Sequence, residues 1–248
     1  MEVGACSHIG KVRDTNEDAY YISDNELKLF IIADGMGGHN AGEIASHIAI
    51  DTIKDYISKR IELFSMVSED NIDNIIKEAI IRANQVIFTK SSEEINYQGM
   101  GTTLTVVLIL SGNAIYIGHV GDSRAYLYHN DKFRQITQDH SLVGELLRNG
   151  SITENEARIH PKRNIITRAL GTEHNIIVDL YKIEINNDDI IVLCTDGLSN
   201  VVDVEEIEDI IIRCHNIQEG CEHLVSLANE RGGYDNITVV AIKMGHNE

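Results

Sequence analysis

Two apolar runs, residues 104–110 and 114–120, are separated only by Ser111-Gly112-Asn113. Three residues cannot form a parallel crossover, which needs about a dozen or more, so the two runs must pair as an antiparallel hairpin. Residues 124–128 and 133–136 flank a second turn at His129–Lys132 and pair by the same reasoning. Residues 29–33, 189–195 and 236–242 are further short apolar runs bounded by glycine or polar residues, and they read as strands. The first of them is expected to end at Asp34-Gly35.

The intervening stretches have helical periodicity. Ile44, Ile48, Ile53 and Ile57 fall roughly on one face of a helix over 42–60, and Ile72, Ile76, Ala79, Ile80 and Ala83 do so over 71–89. Asp203 and Glu206 have capping-box spacing and open a helix through Cys214, and a fourth helix covers 219–230. The expected class is α+β: a four-layer α-β-β-α sandwich, two antiparallel sheets flanked by helices. The only proline is Pro161, and no Ser/Gly/Pro-rich stretch or repeat divides the chain, so residues 1–248 are expected to form a single domain.

The formal charge of −18 argues against binding the phosphate backbone of nucleic acid or an anionic membrane surface. Any anionic substrate must therefore be attracted locally, and bound cations would do that. Cys6, Cys194, Cys214 and Cys221 contain no C-x-x-C pair, which excludes zinc-ribbon and thioredoxin-type motifs. They read as small apolar fillers of a reduced protein. Residues 1–10 have neither the basic nor the apolar part of a secretory leader, and 104–110 is far too short to span a membrane. A cytoplasmic location is expected, and a monomer, since no extended apolar stripe is left over.

Four aspartates lie at strand ends or beside glycine: Asp34 in Asp34-Gly35-Met36-Gly37-Gly38-His39, Asp122 in Gly121-Asp122-Ser123-Arg124, Asp196 in Thr195-Asp196-Gly197, and Asp235 before Asn236 and the last strand. Any one of them could be an ordinary turn residue. Four converging at one end of a sandwich would create a pocket that cannot hold its charge alone, and all-oxygen ligands select hard ions such as Mg²⁺ or Mn²⁺ over zinc. Arg13, in Arg13-Asp14-Thr15-Asn16-Glu17-Asp18, could complete a phosphate clamp beside such a cluster.

With these residues the chain resembles the metal-dependent type-2C Ser/Thr protein phosphatases, in their compact bacterial form. The resemblance runs from Arg13-x-x-Asn16-Glu17-Asp18 to Asp235-Asn236-Ile237-Thr238. Between them lie Asp34-Gly35-Met36-Gly37-Gly38, Gly101-Thr102-Thr103, Gly118-His119-Val120-Gly121-Asp122-Ser123-Arg124, Asp139-His140-Ser141, Thr167-Arg168-Ala169-Leu170-Gly171 and Thr195-Asp196-Gly197-Leu198. Each motif alone is weak, and their order along the chain is what is specific.

The resemblance implies hydrolysis of phosphoserine and phosphothreonine in proteins by metal-activated water at a binuclear Mn²⁺ or Mg²⁺ centre. It implies phosphorylated proteins as partners, including a bacterial Ser/Thr kinase whose action the enzyme would oppose. It makes Asp34 the carboxylate bridging two metals, Gly35 a carbonyl ligand of the second, and Asp196 and Asp235 ligands of the first. Asp122, with Asp196, matches a third metal site, Glu17 and Asp18 would hold metal-bound water, and Arg13 would bind phosphate. No Ser or Cys nucleophile is implied.

Met36 stands where eukaryotic relatives carry a histidine proposed as general acid, which leaves His39, His160 and metal-bound water as candidates for that role. Residues 139–170 correspond to the family's flap beside the active site, with helix-like 142–149 and 151–158 and with His160 following. In that segment His140 reads as orienting the local loop rather than binding metal. Two competing readings are a catalytically inert binding module and an enzyme acting on small phosphoesters. A calcium-binding protein is excluded because the chain lacks D-x-D-x-D-G spacing.

Overall fold

The structure, a computed structural model, describes residues 1–23, 27–38, 41–63, 69–110 and 114–245. The turn at Ser111-Gly112-Asn113 and the candidate acid His39 lie outside the described residues. Among those described, the strands are β1 (Glu2–His8), β2 (Asp18–Ile22), β3 (Lys28–Met36), β4 (Gly101–Thr102), β5 (Leu104–Ile109), β6 (Ala114–Val120), β7 (Arg124–His129), β8 (Lys132–Gln135), β9 (Asp179–Glu184), β10 (Ile190–Cys194) and β11 (Ile237–Lys243). The helices are α1 (Ala41–Leu63), α2 (Glu69–Glu93), α3 (Leu142–Arg148), α4 (Glu154–Arg158), α5 (Asp196–Ser199), α6 (Val204–Arg213) and α7 (Ile217–Glu230).

Two sheets form, in the orders β1-β11-β10-β7-β8 and β2-β3-β5-β6-β9, with β4 added to the end of β3. The pairings are antiparallel, as the short connections require for β2–β3, β5–β6 and β7–β8. The central strands are apolar on both faces, and each face has its own partner. Leu29 and Ile31 of β3 pack under α1 and α2, whereas Phe30 and Ile32 meet Leu193 and Val240 of the other sheet. The second sheet's outer face, with Val192, Val239 and Ala241, is covered by Ile207 and Ile211 of α6 and Leu224 of α7. This is the expected α-β-β-α sandwich.

The local chemistry explains the details. The β7–β8 turn puts Asn130 at φ 50° and Asp131 at φ 57°, the mirror-image turn whose twist suits a two-residue hairpin. The Asp203–Glu206 capping box is present at α6, but α7 begins at Ile217, because Asn216 caps it by accepting from Glu219 N–H at 2.9 Å. β3 does not end at Asp34-Gly35. It runs on to Met36, because Asp34 pairs with Asp18 and Gly35 pairs with Thr102. Strands β1, β2 and β9 were not anticipated, being polar or only part-buried along much of their length. No helix among the described residues is long and apolar enough to cross a membrane.

Candidate metal centre

The carboxylates meet where one end of each sheet faces the other. Strand register places Asp18 directly opposite Asp34, a like-charge pairing that is unfavourable in an ordinary sheet. Asp196 begins α5 immediately after β10. Behind it, a Cβ at Gly197 would lie 1.9 Å from the Asn236 carbonyl oxygen, so only glycine lets the chain after Asp196 press against the chain after Asp235. Asp122 follows β6, and its charge, with those of Asp18, Asp196 and Asp235, is felt at Asp34.

The electrostatics follow from this crowding. Burial, then repulsion by Asp18, Asp196, Asp122 and Asp235, pushes Asp34 well above the usual carboxylate range. Burial and then Asp196 push Asp122 up to about 8. Asp18 and Asp196 are raised as well, by burial first and by neighbouring aspartates after it. Asp34 and Asp196 are close enough that each affects the other's ionisation, and burying two such carboxylates together favours proton uptake where no cation offsets their charge. Glu17 is raised by burial, against the opposing pull of the Arg13 charge. The only arginine in this group is Arg13, half-exposed, donating from Nη2 to Asp235 Oδ2 at 2.7 Å.

These residues fit hard divalent cations. Asp18 Oδ1 and Asp122 Oδ1 are buried with no hydrogen-bond partner, and a buried, unpartnered carboxylate oxygen is costly unless a cation meets it. The donors are all oxygens, as Mg²⁺ and Mn²⁺ prefer.

The supporting polar residues, most of them within the quoted motifs, have no role assigned from the sequence. Thr195 and Thr238 hydroxyls both donate to Asp18 Oδ2, at 2.9 and 2.7 Å. Thr238 in turn accepts from Ser7 Oγ at 2.8 Å, and Ser7 accepts from Asn16 Nδ2 at 3.0 Å. Asn236 donates to the Ile9 and Thr15 carbonyls and accepts from Glu17 N–H, which ties the segment bearing Arg13 and Glu17 to β11. Thr103 Oγ1 accepts from Asp34 N–H at 3.0 Å. The available signal was a hydroxyl or amide inside or beside an otherwise apolar strand.

Of the residues expected at the site, Arg13, Glu17, Asp18, Asp34, Gly35, Asp122, Asp196 and Asp235 come together. Gly35 follows Asp34 in β3 and donates its N–H to the Glu17 carbonyl. His160 lies in the turn after α4, where its Nδ1 accepts from Lys162 N–H at 3.2 Å. No hydrogen bond among the described residues links it to the carboxylates. The protein phosphatase 2C family model matches residues 7–230, which include all of these residues except Asp235.

The chain belongs to the protein phosphatase 2C family. Two relatives in that family are "Serine/threonine phosphatase stp" of Listeria innocua and "Protein phosphatase PhpP" of Streptococcus pneumoniae. The first is 39% identical over 94% of this chain and 92% of its own. The second is 38% identical over 100% of this chain and 99% of its own. Among solved structures, the Mycobacterium tuberculosis serine/threonine phosphatase PstP/Ppp aligns with a TM-score of 0.89 at 35% identity, over 99% of both chains. The PstP catalytic domain in complex with two manganese ions aligns with a TM-score of 0.86 at 34% identity, covering 99% of this chain and 98% of that one. The two-sheet sandwich is therefore the architecture of the 2C phosphatases.

Proposed function

We propose that residues 1–248 form one catalytic domain that hydrolyses phosphoserine and phosphothreonine in proteins and opposes a Ser/Thr kinase in the cytoplasm. The observation that carries this reading is the buried aspartate cluster with unpartnered oxygens and one arginine at its rim. The similarity to named Ser/Thr phosphatases, one of them bound to two manganese ions, supports it. Asp34, the Gly35 carbonyl, Asp196 and Asp235 would hold two Mn²⁺ or Mg²⁺ ions. Asp122, with Asp196, would hold a third, and Glu17 and Asp18 would act through water. Two such ions supply acidified water and positive charge for the phosphoryl oxygens.

The protein's own groups do the rest. Arg13 reaches the rim from a half-exposed position and would exchange its bond to Asp235 for substrate phosphate, neutralising the equatorial oxygens. Thr195 and Thr238 keep Asp18 Oδ2 occupied, so that Oδ1 alone faces the cluster. His160, in segment 139–170, would act from the flap. The test is phosphate release from a phosphothreonine peptide with Mn²⁺, with Mg²⁺ and with chelator, beside Asp196→Ala. Metal-dependent release that the variant lacks is expected. No release from folded, metal-bound protein would overturn the reading in favour of a binding module.

A further inference from the structure

Asp122 is held in place through the residue before it. Gly121 has φ +114°, and a Cβ there would lie 2.5 Å from the Thr103 side chain, so only glycine fits at this position. One residue takes both of its backbone polar groups. The His140 N–H donates to Gly121 O at 2.8 Å, and the Gly121 N–H donates to His140 Nδ1 at 3.0 Å.

Because Nδ1 accepts, the neutral His140 ring carries its proton on Nε2. That nitrogen lies 3.2 Å from Asp179 Oδ2, to which it donates, and 2.9 Å from Arg168 Nη1, a second donor crowded against it. Arg168 donates to Asp179 Oδ1 at 2.8 Å, and the carboxylate is thereby shared between the ring and the guanidinium. The His140 carbonyl accepts from Thr167 N–H at 2.8 Å, and Ser141 bridges to Ile166. The two ends of segment 139–170 are thus joined at Gly121. His119, buried alongside, lies 4.9 Å away between ring centroids with its ring tilted by 35°, and its own nitrogens are engaged by Thr105 and the Gln138 carbonyl.

We propose that His140 is a positioning residue for Asp122: its Nδ1 holds the Gly121 amide, and so holds the Asp122 carboxylate where a third divalent cation would bind. Asp179, itself held by Arg168, orients the ring through Nε2, in the way outer-shell partners orient ligands in metal sites. The junction at the base of segment 139–170 therefore sets the affinity of that cation. The inference rests on the proposed cation sites and adds to them a residue that touches no cation.

The experiment is Mn²⁺ titration by calorimetry, with free Mn²⁺ counted by electron paramagnetic resonance, on the full chain and its variants. The unaltered chain should bind two ions tightly and a third more weakly, and Asp122→Ala should lose the third. His140→Ala should keep the first two and weaken the third about 10–100-fold, the range found for outer-shell residues. His140→Asn, whose side-chain oxygen can accept from Gly121 N–H, should stay within about 3-fold of the unaltered chain. If His140→Ala does not fold, His140→Gln keeps the bulk while removing the Nδ1 acceptor, and the same weakening is expected.

An unchanged third affinity in folded His140→Ala or His140→Gln would overturn the proposal. So would His140→Asn binding as weakly as they do. An unaltered chain that binds two ions and no third also overturns it, and leaves the phosphatase reading intact. Fewer than two ions bound would instead overturn that reading.

Discussion

Replacing Thr238 by valine keeps the side chain's shape and removes one hydroxyl, which makes it a clean perturbation of the charge on Asp18. In the native chain Thr238 Oγ1 donates to Asp18 Oδ2 at 2.7 Å. A hydrogen bond to a charged partner contributes about 1.5–3 kcal/mol, and one between neutral groups about 0.5–1.5 kcal/mol. Burial raises Asp18 to about 7, so near neutral pH and without cations its carboxyl is protonated in much of the population. Cation binding requires the charged form. Thr238→Val should therefore cost the cation-loaded protein about 1 kcal/mol more than the chelated protein, or about 5-fold in Mn²⁺ affinity. The chelated variant should also melt about 2–4 °C lower for each kcal/mol lost, as expected for a chain of this length. Calorimetric Mn²⁺ titration and thermal melts in chelator read the two effects separately. A lowered melting temperature with unchanged Mn²⁺ affinity would refute the argument, because it would show that the charge on Asp18 is not coupled to the cations.

Three further outcomes follow from the same cluster. Burial and mutual repulsion raise Asp196 to about 6, Asp18 to about 7 and Asp122 to about 8, so the folded state binds more protons than the unfolded chain, and stability falls as pH rises through those values. His119, which burial holds near 4, works in the opposite sense only below its ordinary value of 6.5. In chelator the melting temperature should therefore decline from about pH 6.5 to 8.5, and Mn²⁺ should abolish the decline; a flat profile in chelator would count against the charge crowding. Asp34→Asn should eliminate phosphate release yet raise the chelated melting temperature at the alkaline end of that range, since the amide stays neutral where the carboxyl must either hold a proton or ionise beside its neighbours. A drop in that temperature would show that Asp34 is not electrostatically frustrated. Arg13→Ala should reduce kcat/KM on a phosphothreonine peptide about 10–150-fold, the equivalent of one charged hydrogen bond. Unchanged kinetics would remove Arg13 from the phosphate site.

The sandwich was legible because its central strands are apolar on both faces and too closely connected to be parallel. Runs such as 104–110 and 114–120 admit no other pairing. The strands that escaped notice do different work. β1 contains Gly4 and β9 reads Asp-Leu-Tyr-Lys-Ile-Glu, so neither carries a clean apolar alternation, and both are held in place by a neighbour's edge. β2 begins with the very aspartate that the site needs, a residue that strands disfavour. The aspartates themselves were legible by position, at strand ends beside glycine. The roles of Thr195, Thr238, Ser7 and Asn236 were not, because a threonine in a strand is ordinary for its propensity, and only the fold shows which hydroxyl faces a buried carboxylate.

The net charge of −18 and an anionic substrate are reconciled by where the charge is placed. The sheets bring five aspartates to one end, and two of those carboxylates have a buried oxygen without a partner. Empty, that arrangement opposes folding, which is why the carboxylates take up protons instead. Filled with divalent cations, it would present positive charge to solvent with Arg13 beside it, and the acidic remainder of the surface would repel anions that cannot reach it. Under the proposed reading, cation binding turns a repulsive cluster into a strongly attractive place for a phosphoryl group. Loss of the cations should then abolish phosphopeptide binding as well as turnover. That can be measured by phosphopeptide titration of the chelated protein, and chelated protein that still bound the peptide with undiminished affinity would show that Arg13 alone suffices.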